Sequence, residues 1–288
     1  MPPFERKPEW LKIKAVAGPN FRKVKGLLRE LDLHTVCEEA SCPNAFECFE
    51  SGTATFLILG DRCTRNCSFC NVRPEKPLPT DPQEPERVAA AAGRLGLHHV
   101  VVTSVTRDDL PDGGAGLFAE TVRAIRRQAP QAAVEVLIPD FQGDEEALLT
   151  VVEAGPDILG HNIETVPRLY PGVRRGADYH RSMALLARAA EWTSGSSSRT
   201  KSGIMLGLGE REKEVRAVLE DLRRARCEMI TLGQYLRPSL RHLPVVRYVP
   251  PEEFSHLKQA AMNLGFGHVE AGPLVRSSYH AAEQSSAF

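Results

Sequence analysis

Three cysteines stand in one short stretch, Cys63-Thr-Arg-Asn-Cys67-Ser-Phe-Cys70, with gaps of three and two residues. Three thiolates on one loop can hold three irons of a cubane iron–sulfur cluster. Such clusters normally take four cysteines, so a set that stops at three leaves one iron open. The chemistry that fits an open iron is S-adenosylmethionine (SAM), bound through its amino and carboxylate groups and cleaved by one electron to a carbon radical. Aromatic Phe69, just before the last cysteine, is a candidate to lie against the cofactor. The plain alternative is a zinc site or a redox pair. Zinc knuckles, however, favour paired CxxC units, usually with a second pair or histidines.

A second triplet precedes the first in the chain: Cys37-Glu-Glu-Ala-Ser-Cys42-Pro-Asn-Ala-Phe-Glu-Cys48, with gaps of four and five. Six of the seven cysteines thus fall between positions 37 and 70, whereas Cys227 stands alone and reads as a packing or surface residue. The 37–48 segment has few apolar residues, so metal is expected to organise it. It too lacks a fourth ligand nearby. Near the C-terminus runs Gly272-Pro-Leu-Val-Arg276-Ser-Ser-Tyr279. Alone it reads as a solvated tail; beside three thiolates short of a partner, its hydroxyls become candidates.

The elements that must position these groups follow from periodicity. Apolar residues at helical spacing (Phe21, Val24, Leu27, Leu28, Leu31) predict an amphipathic helix within an N-terminal extension. From Thr53 onward short apolar runs at 54–59, 99–103, 133–138, 157–159, 203–206 and 229–232 alternate with helical segments at 83–95, 115–128, 144–153, 180–192, 210–226 and 251–264. Strands separated by helices signal βαβ units and a parallel sheet. Six repeats predict an α/β fold, an open (β/α)6 partial barrel. Active residues in such folds collect at the C-terminal ends of strands, which is where the 63–70 loop lies. The five prolines between 74 and 85 predict an extended stretch, and the polar 193–200 segment a surface connection.

Polar groups recur after successive strands. The 103–115 loop brings Thr103, Ser104, Asp108, Asp109, Asp112, Gly113 and Gly114, where paired glycines allow close backbone approach and the carboxylates can meet a cationic amine. Asp-Gly-Gly before a helix is also an ordinary turn and cap. After the fourth strand, Asn162 and Glu164 share one face of an extended segment, and His161 reads as a satisfied structural histidine. Gly207 and Gly209 leave room for an adenine or ribose, and 233–238 is a further polar segment at the barrel mouth.

Length and composition bound the rest. The chain has 288 residues, 42% hydrophobic and 25% charged, with 36 basic and 37 acidic side chains. That balance gives no support for nucleic-acid binding, and no apolar run reaches the ~20 residues of a membrane span. The N-terminal ten residues carry no apolar leader segment. Seven cysteines without a secretory signal point to a reducing compartment, and a cytoplasmic location is expected.

The 63–70 motif resembles that of the radical SAM superfamily. The two triplets, with Arg-Ser-Ser-Tyr at 276–279, resemble more specifically the lipoyl synthase family. The stretches 52–61, 103–115, 161–165, 201–210 and 242–281 are also similar to that family. The resemblance implies a radical SAM partial barrel at 53–265, an N-terminal extension (1–52) and a C-terminal extension (266–288), the extensions carrying an auxiliary cluster. It implies that Cys63, Cys67 and Cys70 hold the [4Fe–4S] cluster that binds SAM. Cys37, Cys42 and Cys48 would hold a second [4Fe–4S] cluster, with Ser278 as fourth ligand and Ser277 as runner-up. Phe69, Thr103, Ser104, Asp112, Gly113, Asn162 and Glu164 would line the SAM site. An alkoxide matches iron–sulfur less well than thiolate does, so the Ser278 bond is expected to be where sulfide is given up, with Arg276 steadying the departing oxygen.

The implied reaction inserts two sulfurs, at C6 and then C8, into a protein-bound octanoyl chain, the sulfur being drawn from the auxiliary cluster. Implied partners are octanoylated lipoyl-carrier domains (the 2-oxoacid dehydrogenase E2 subunit and the glycine cleavage H protein) and an electron donor such as ferredoxin or flavodoxin, with neither nucleic acid nor membrane. The nearest competing enzyme is a radical SAM methylthiotransferase, which would carry its extra cysteines in a separate N-terminal domain. A zinc-binding interaction protein is the alternative from another class. Colour separates the two classes: an iron–sulfur protein is brown, with broad absorption near ~400 nm.

Overall fold

In the computed structural model, residues 6–13, 17–51, 53–279 and 281 are described. The leaderless reading of the N-terminus and the end of the C-terminal extension therefore lie partly outside the described residues, as does Gly52.

Eight strands form one sheet in chain order: β1 (His34–Thr35), β2 (Thr55–Ile58), β3 (His99–Ser104), β4 (Ala133–Leu137), β5 (Ile158–Gly160), β6 (Arg199–Leu206), β7 (Met229–Gln234) and β8 (His268–Gly272). β2 through β8 are parallel, and β1 pairs antiparallel with β2. No pairing joins the first strand to the last, so the barrel is open. The helices are α1 (Pro19–Glu30), α2 (Val36–Glu39), α3 (Ala45–Glu50), α4 (Glu84–Leu95), α5 (Ala115–Gln128), α6 (Glu145–Glu153), α7 (Tyr170–Val173), α8 (Tyr179–Trp192), α9 (Glu212–Arg224) and α10 (Pro251–Asn263).

The six expected units are all present: β2–α4, β3–α5, β4–α6, β5–α8, β6–α9 and β7–α10. Their strands are buried on both faces, as parallel strands sandwiched by helices must be. In β3 the valines 100 to 102 are at most 1% exposed, each contributing roughly 1.5–3 kcal/mol by burial. One apolar cluster joins β2–β4 to α1, α4, α5 and α6, and another joins β6–β8 to α8, α9 and α10.

Three features differ from the sequence expectation. Two edge strands, β1 and β8, flank the six: β1 is only two residues long, and β8 buries only Val269 fully, so neither carries a readable period. β6 begins at Arg199, four residues before the expected 203, because Thr200, Lys201 and Ser202 are polar yet buried. Finally, protein contacts already shape the 37–48 segment. The Thr35 hydroxyl accepts from Glu38 N–H at the start of α2, Phe46 stacks on Phe21 at 5.1 Å, and Phe49 is 1% exposed.

Candidate active site at the barrel mouth

The 63–70 loop leaves the C-terminal end of β2 through a left-handed turn, with φ +69° at Leu59 and +88° at Gly60. Buried Glu84, at the start of α4, accepts from Leu59 N–H at 2.8 Å. Burial pushes its carboxyl pKa up. The loop is tied at its base by Cys63 N–H to Arg73 C=O (2.8 Å). Cys63 Sγ accepts from the N–H groups of Arg65 (3.4 Å) and Thr106 (3.3 Å). Arg65 grips both oxygens of Asp108 at 2.7 and 2.8 Å and reaches Asp140 at 2.6 Å. Burial opposes ionisation of Asp140, but the Arg65 hydrogen bonds and charge outweigh it and hold the carboxyl well below the usual range.

The three thiols of the loop lie within electrostatic reach of one another. Burial pushes Cys67 up to about 11 and Cys70 up to about 12, and each is raised further by neighbouring cysteines of the set. Cys37, Cys42 and Cys48 form a second such group. Burial pushes Cys37 and Cys48 up to about 12, and it raises Cys42. A bound metal deprotonates a coordinating thiol outright, so each set can offer three thiolate donors. Among the described residues no three His, Cys, Asp or Glu side chains close on a single metal ion.

The two groups abut. Asn71 Nδ2, one residue past Cys70, donates to Glu39 C=O (3.0 Å) and to Ser41 Oγ (3.2 Å), between Cys37 and Cys42. The C-terminal segment then runs from β8 to β2. Asn44 Nδ2 donates to Leu274 C=O (2.7 Å), and Tyr279 donates to Glu47 (3.1 Å). Thr55 sits at this junction. Its backbone lies close enough to Cys37 to offset part of the rise in that thiol's pKa, and its hydroxyl donates to Ser278 Oγ at 2.8 Å. Ser277 turns the other way and accepts from Asn162 Nδ2 at 2.7 Å. Arg276 is half-buried and close enough to Cys42 for the two to interact electrostatically. Ser278 is thus the serine whose hydroxyl meets Thr55.

The remaining sequence candidates divide. Asn162 Nδ2 also donates to Glu164 Oε1 (3.1 Å), and Glu164 lies within electrostatic reach of Cys67 and Cys70. Burial raises the Glu164 carboxyl pKa, and Arg174 partly reverses that rise. Ser104 Oγ at the end of β3 is buried without a partner among the described residues, as a hydroxyl kept for a bound group would be. Others also make contacts within the fold itself. Asp112 accepts from Gly114 and Gly116 N–H at the start of α5, Thr103 donates to Leu137 C=O, and Phe69 packs against the apolar cluster of Val173, Leu208 and Tyr235. Asp108 and Asp109 are paired with Arg65 and Arg107. Gly113 has φ +60°, and the Phe141 ring fills the space a side chain would take. The space above Gly207 is likewise filled, by Gln234 and the Arg247 carbonyl. His161 is fully buried, bonded to Ile138 C=O and Ser182, and its pKa is lowered to about 3 by burial.

Arg174, Thr55 and His242 carry no motif of their own in the sequence. Arg174 donates to Tyr170 and Ser182 and interacts electrostatically with Cys67. His242 Nε2–H donates to Cys70 C=O at 2.9 Å.

This geometry agrees with comparisons to known proteins. A profile of the Radical SAM superfamily matches residues 57–222, and one of the N-terminal domain of lipoyl synthase matches residues 4–42. Lipoyl synthase of Trichlorobacter lovleyi is 60% identical over 280 residues, covering 97% of this chain and 98% of that one. The chain belongs to the lipoyl synthase family. Lipoyl synthase of Nitrosococcus oceani is 58% identical over 283 residues, covering 98% of this chain and 87% of that one. Among solved structures, Streptococcus suis SuiB bound to S-adenosylmethionine shares the fold at TM-score 0.55 and 10% identity, covering 77% of this chain and 51% of that one. Membership in the superfamily carries with it a [4Fe–4S] cluster and SAM. Among the described residues no helix is long and apolar enough to cross a membrane.

Proposed function

We propose that the chain inserts two sulfur atoms, at C6 and C8, into an octanoyl group carried on a lysine of a lipoyl-carrier domain. The observation that carries this reading is the Thr55–Ser278 hydrogen bond of 2.8 Å beside Cys37. It supports Ser278, from the far end of the chain, as a fourth, oxygen donor to the triplet Cys37, Cys42, Cys48. When bound, a [4Fe–4S] cluster with SAM supplies a radical able to take hydrogen from an unactivated carbon, and a second cluster supplies the sulfur.

The chain's own residues do the rest. Cys63, Cys67 and Cys70 would hold the first cluster, with Asn162, Glu164 and Arg174 forming a polar wall beside it. Cys37, Cys42, Cys48 and Ser278 would hold the second. A hydrogen bond donated to an oxygen favours its deprotonated form, so Thr55 helps Ser278 to act as a ligand. Arg276, close to Cys42, adds positive charge where that oxygen is released. The extension 1–52 and the segment 266–288 serve the second cluster, and 53–265 the first. The partners are octanoylated carrier domains and a small one-electron donor such as ferredoxin or flavodoxin, in the cytoplasm.

The direct test is anaerobic incubation of the iron-loaded chain with SAM, a reductant and an octanoylated carrier. Mass spectrometry should find two added sulfurs on the acyl chain. A colourless zinc protein that leaves the carrier unaltered would end the reading.

A further inference from the structure

The segment between β7 and α10, residues 236–249, lies as a strap against the cysteine loop. His242 Nε2–H donates to Cys70 C=O (2.9 Å), and Leu243 N–H donates to Ser68 C=O (3.1 Å). The strap is held firmly from behind. Ser239 bonds His242 Nδ1 (2.9 Å), Tyr235 OH donates to Leu243 C=O (2.9 Å), and Val246 N–H donates to Gly207 C=O (2.8 Å). Its inward side chains, Leu243 and Val245, join the apolar cluster that receives Phe69.

Its outward side differs from the rest of the surface. Among the described residues the two most exposed large apolar side chains are Leu240 (67%) and Val246 (59%), and both sit here. Between residues 231 and 251 the chain has three arginines and no aspartate or glutamate, although the whole chain has 36 basic and 37 acidic side chains. The arginines differ in use. Arg237 is folded onto the carbonyls of Leu240 and His242, and Arg247 is paired with Glu253 from α10. Arg241 is exposed and makes no side-chain hydrogen bond or ion pair among the described residues. Two such exposed apolar side chains and an unpaired charge on one short segment suit an interaction surface.

We infer that this strap is the rim on which the acyl-carrying protein docks, Leu240 and Val246 meeting an apolar spot on it and Arg241 an acidic one. The inference builds on the octanoyl-carrier reading above and names the surface that reading needs. A carrier domain is too large to enter the barrel, so it must stop at an edge from which its lysine arm reaches the cysteines. The strap is such an edge, hydrogen-bonded to Ser68 and Cys70 themselves. The exposed, unpaired Arg241 selects a partner with an acidic spot, since opposite potentials speed encounter and fix orientation.

The test compares two substrates of the iron-loaded full chain with SAM and reductant: an octanoylated carrier domain and a short octanoyl-lysine peptide. Arg241→Glu and the pair Leu240→Asp/Val246→Asp should each raise KM for the carrier by about tenfold or more. Turnover of the peptide should stay unchanged, as should the thermal midpoint. Salt should weaken the unaltered chain on the carrier more than it weakens Arg241→Glu. An acid-to-lysine change on the carrier should restore part of the Arg241→Glu loss.

An unchanged carrier KM in folded variants overturns the inference. So does an unaltered chain that sedimentation shows as a dimer, split by Leu240→Asp/Val246→Asp with the carrier KM unchanged, because the occupant is then a second copy. If neither substrate gains sulfur, the reading of the reaction fails, and docking is decided separately by fluorescence anisotropy of a labelled octanoyl carrier. Binding weakened by Arg241→Glu supports the rim; equal binding by both chains overturns it.

Discussion

At the scale of single residues, Thr55 joins the two ends of the site. Its backbone lies beside Cys37 and its hydroxyl donates to Ser278, so that serine is oriented by the protein itself. Ser278→Cys should keep the iron content of both clusters, because thiolate matches iron–sulfur better than alkoxide. It should slow sulfur insertion by about 10–100-fold while SAM cleavage continues; iron analysis and product mass spectra check both. A second prediction concerns Asp140, which accepts from Arg65 and Arg181. Its folded-state pKa lies below its unfolded value, so the unfolded chain binds the proton more readily and stability rises with pH through that window. The contribution is full above the ordinary aspartate value of ~3.9 and is lost as pH falls through the folded pKa. Asp140→Asn should lower stability near neutral pH by about 3 kcal/mol and flatten the acid limb, as denaturant titrations across pH would record.

At the scale of elements, the segment 273–279 depends on a bare backbone beneath it. A Cβ on Gly233, near the end of β7, would lie 2.1 Å from the Val275 carbonyl. Gly233→Ala should therefore displace the segment that carries Arg276, Ser277 and Ser278 and leave the strands in register. Overpacking of this kind costs about 1–3 kcal/mol. Sulfur insertion should fall at least about tenfold with the SAM-cleaving cluster intact, since a misplacement near 1 Å is felt that strongly; electron paramagnetic resonance of the two clusters distinguishes the cases. Gly207 serves the strap in a similar way: it takes φ +100° and lies under Gln234 and Arg247, so its glycine is demanded by packing within the chain.

At the scale of the whole molecule, the barrel holds a buried charged triad. Lys201 on β6 donates to Glu135 on β4 at 2.7 Å, and His99 on β3 lies 3.2 Å from the other oxygen, with all three side chains 2% exposed. Burial opposes the charge on Glu135, and Lys201 and His99 overcome it, keeping its pKa below the ordinary value. Lys201→Met leaves that carboxylate without its cation and should cost about 3–5 kcal/mol. Lys201→Met with Glu135→Leu should recover part of the loss, and urea denaturation of the double-mutant cycle measures it.

Much of this protein is legible in its sequence. The six strand–helix units follow from the period of apolar residues, because a strand buried on both faces must be apolar throughout and its covering helix must be amphipathic. Both cysteine sets follow from local spacing, because a cluster takes its thiolates from one short loop. Other features depend on partners far away in the chain. The polar start of β6 is satisfied by distant partners, Lys201 by Glu135, Thr200 by the Arg226 carbonyl and Ser202 by Ile163 N–H. Asp112 and Thr103, chemically suited to a ligand, are engaged by α5 and β4. Spacing leaves Ser277 and Ser278 equivalent, and only the fold separates them, by setting one beside Thr55 and the other beside Asn162, 223 and 115 residues away. Sequence fixes which groups can do chemistry and which segments repeat; tertiary structure decides which of those groups meet, because hydrogen bonds and charge act over a few ångströms of space at any separation along the chain.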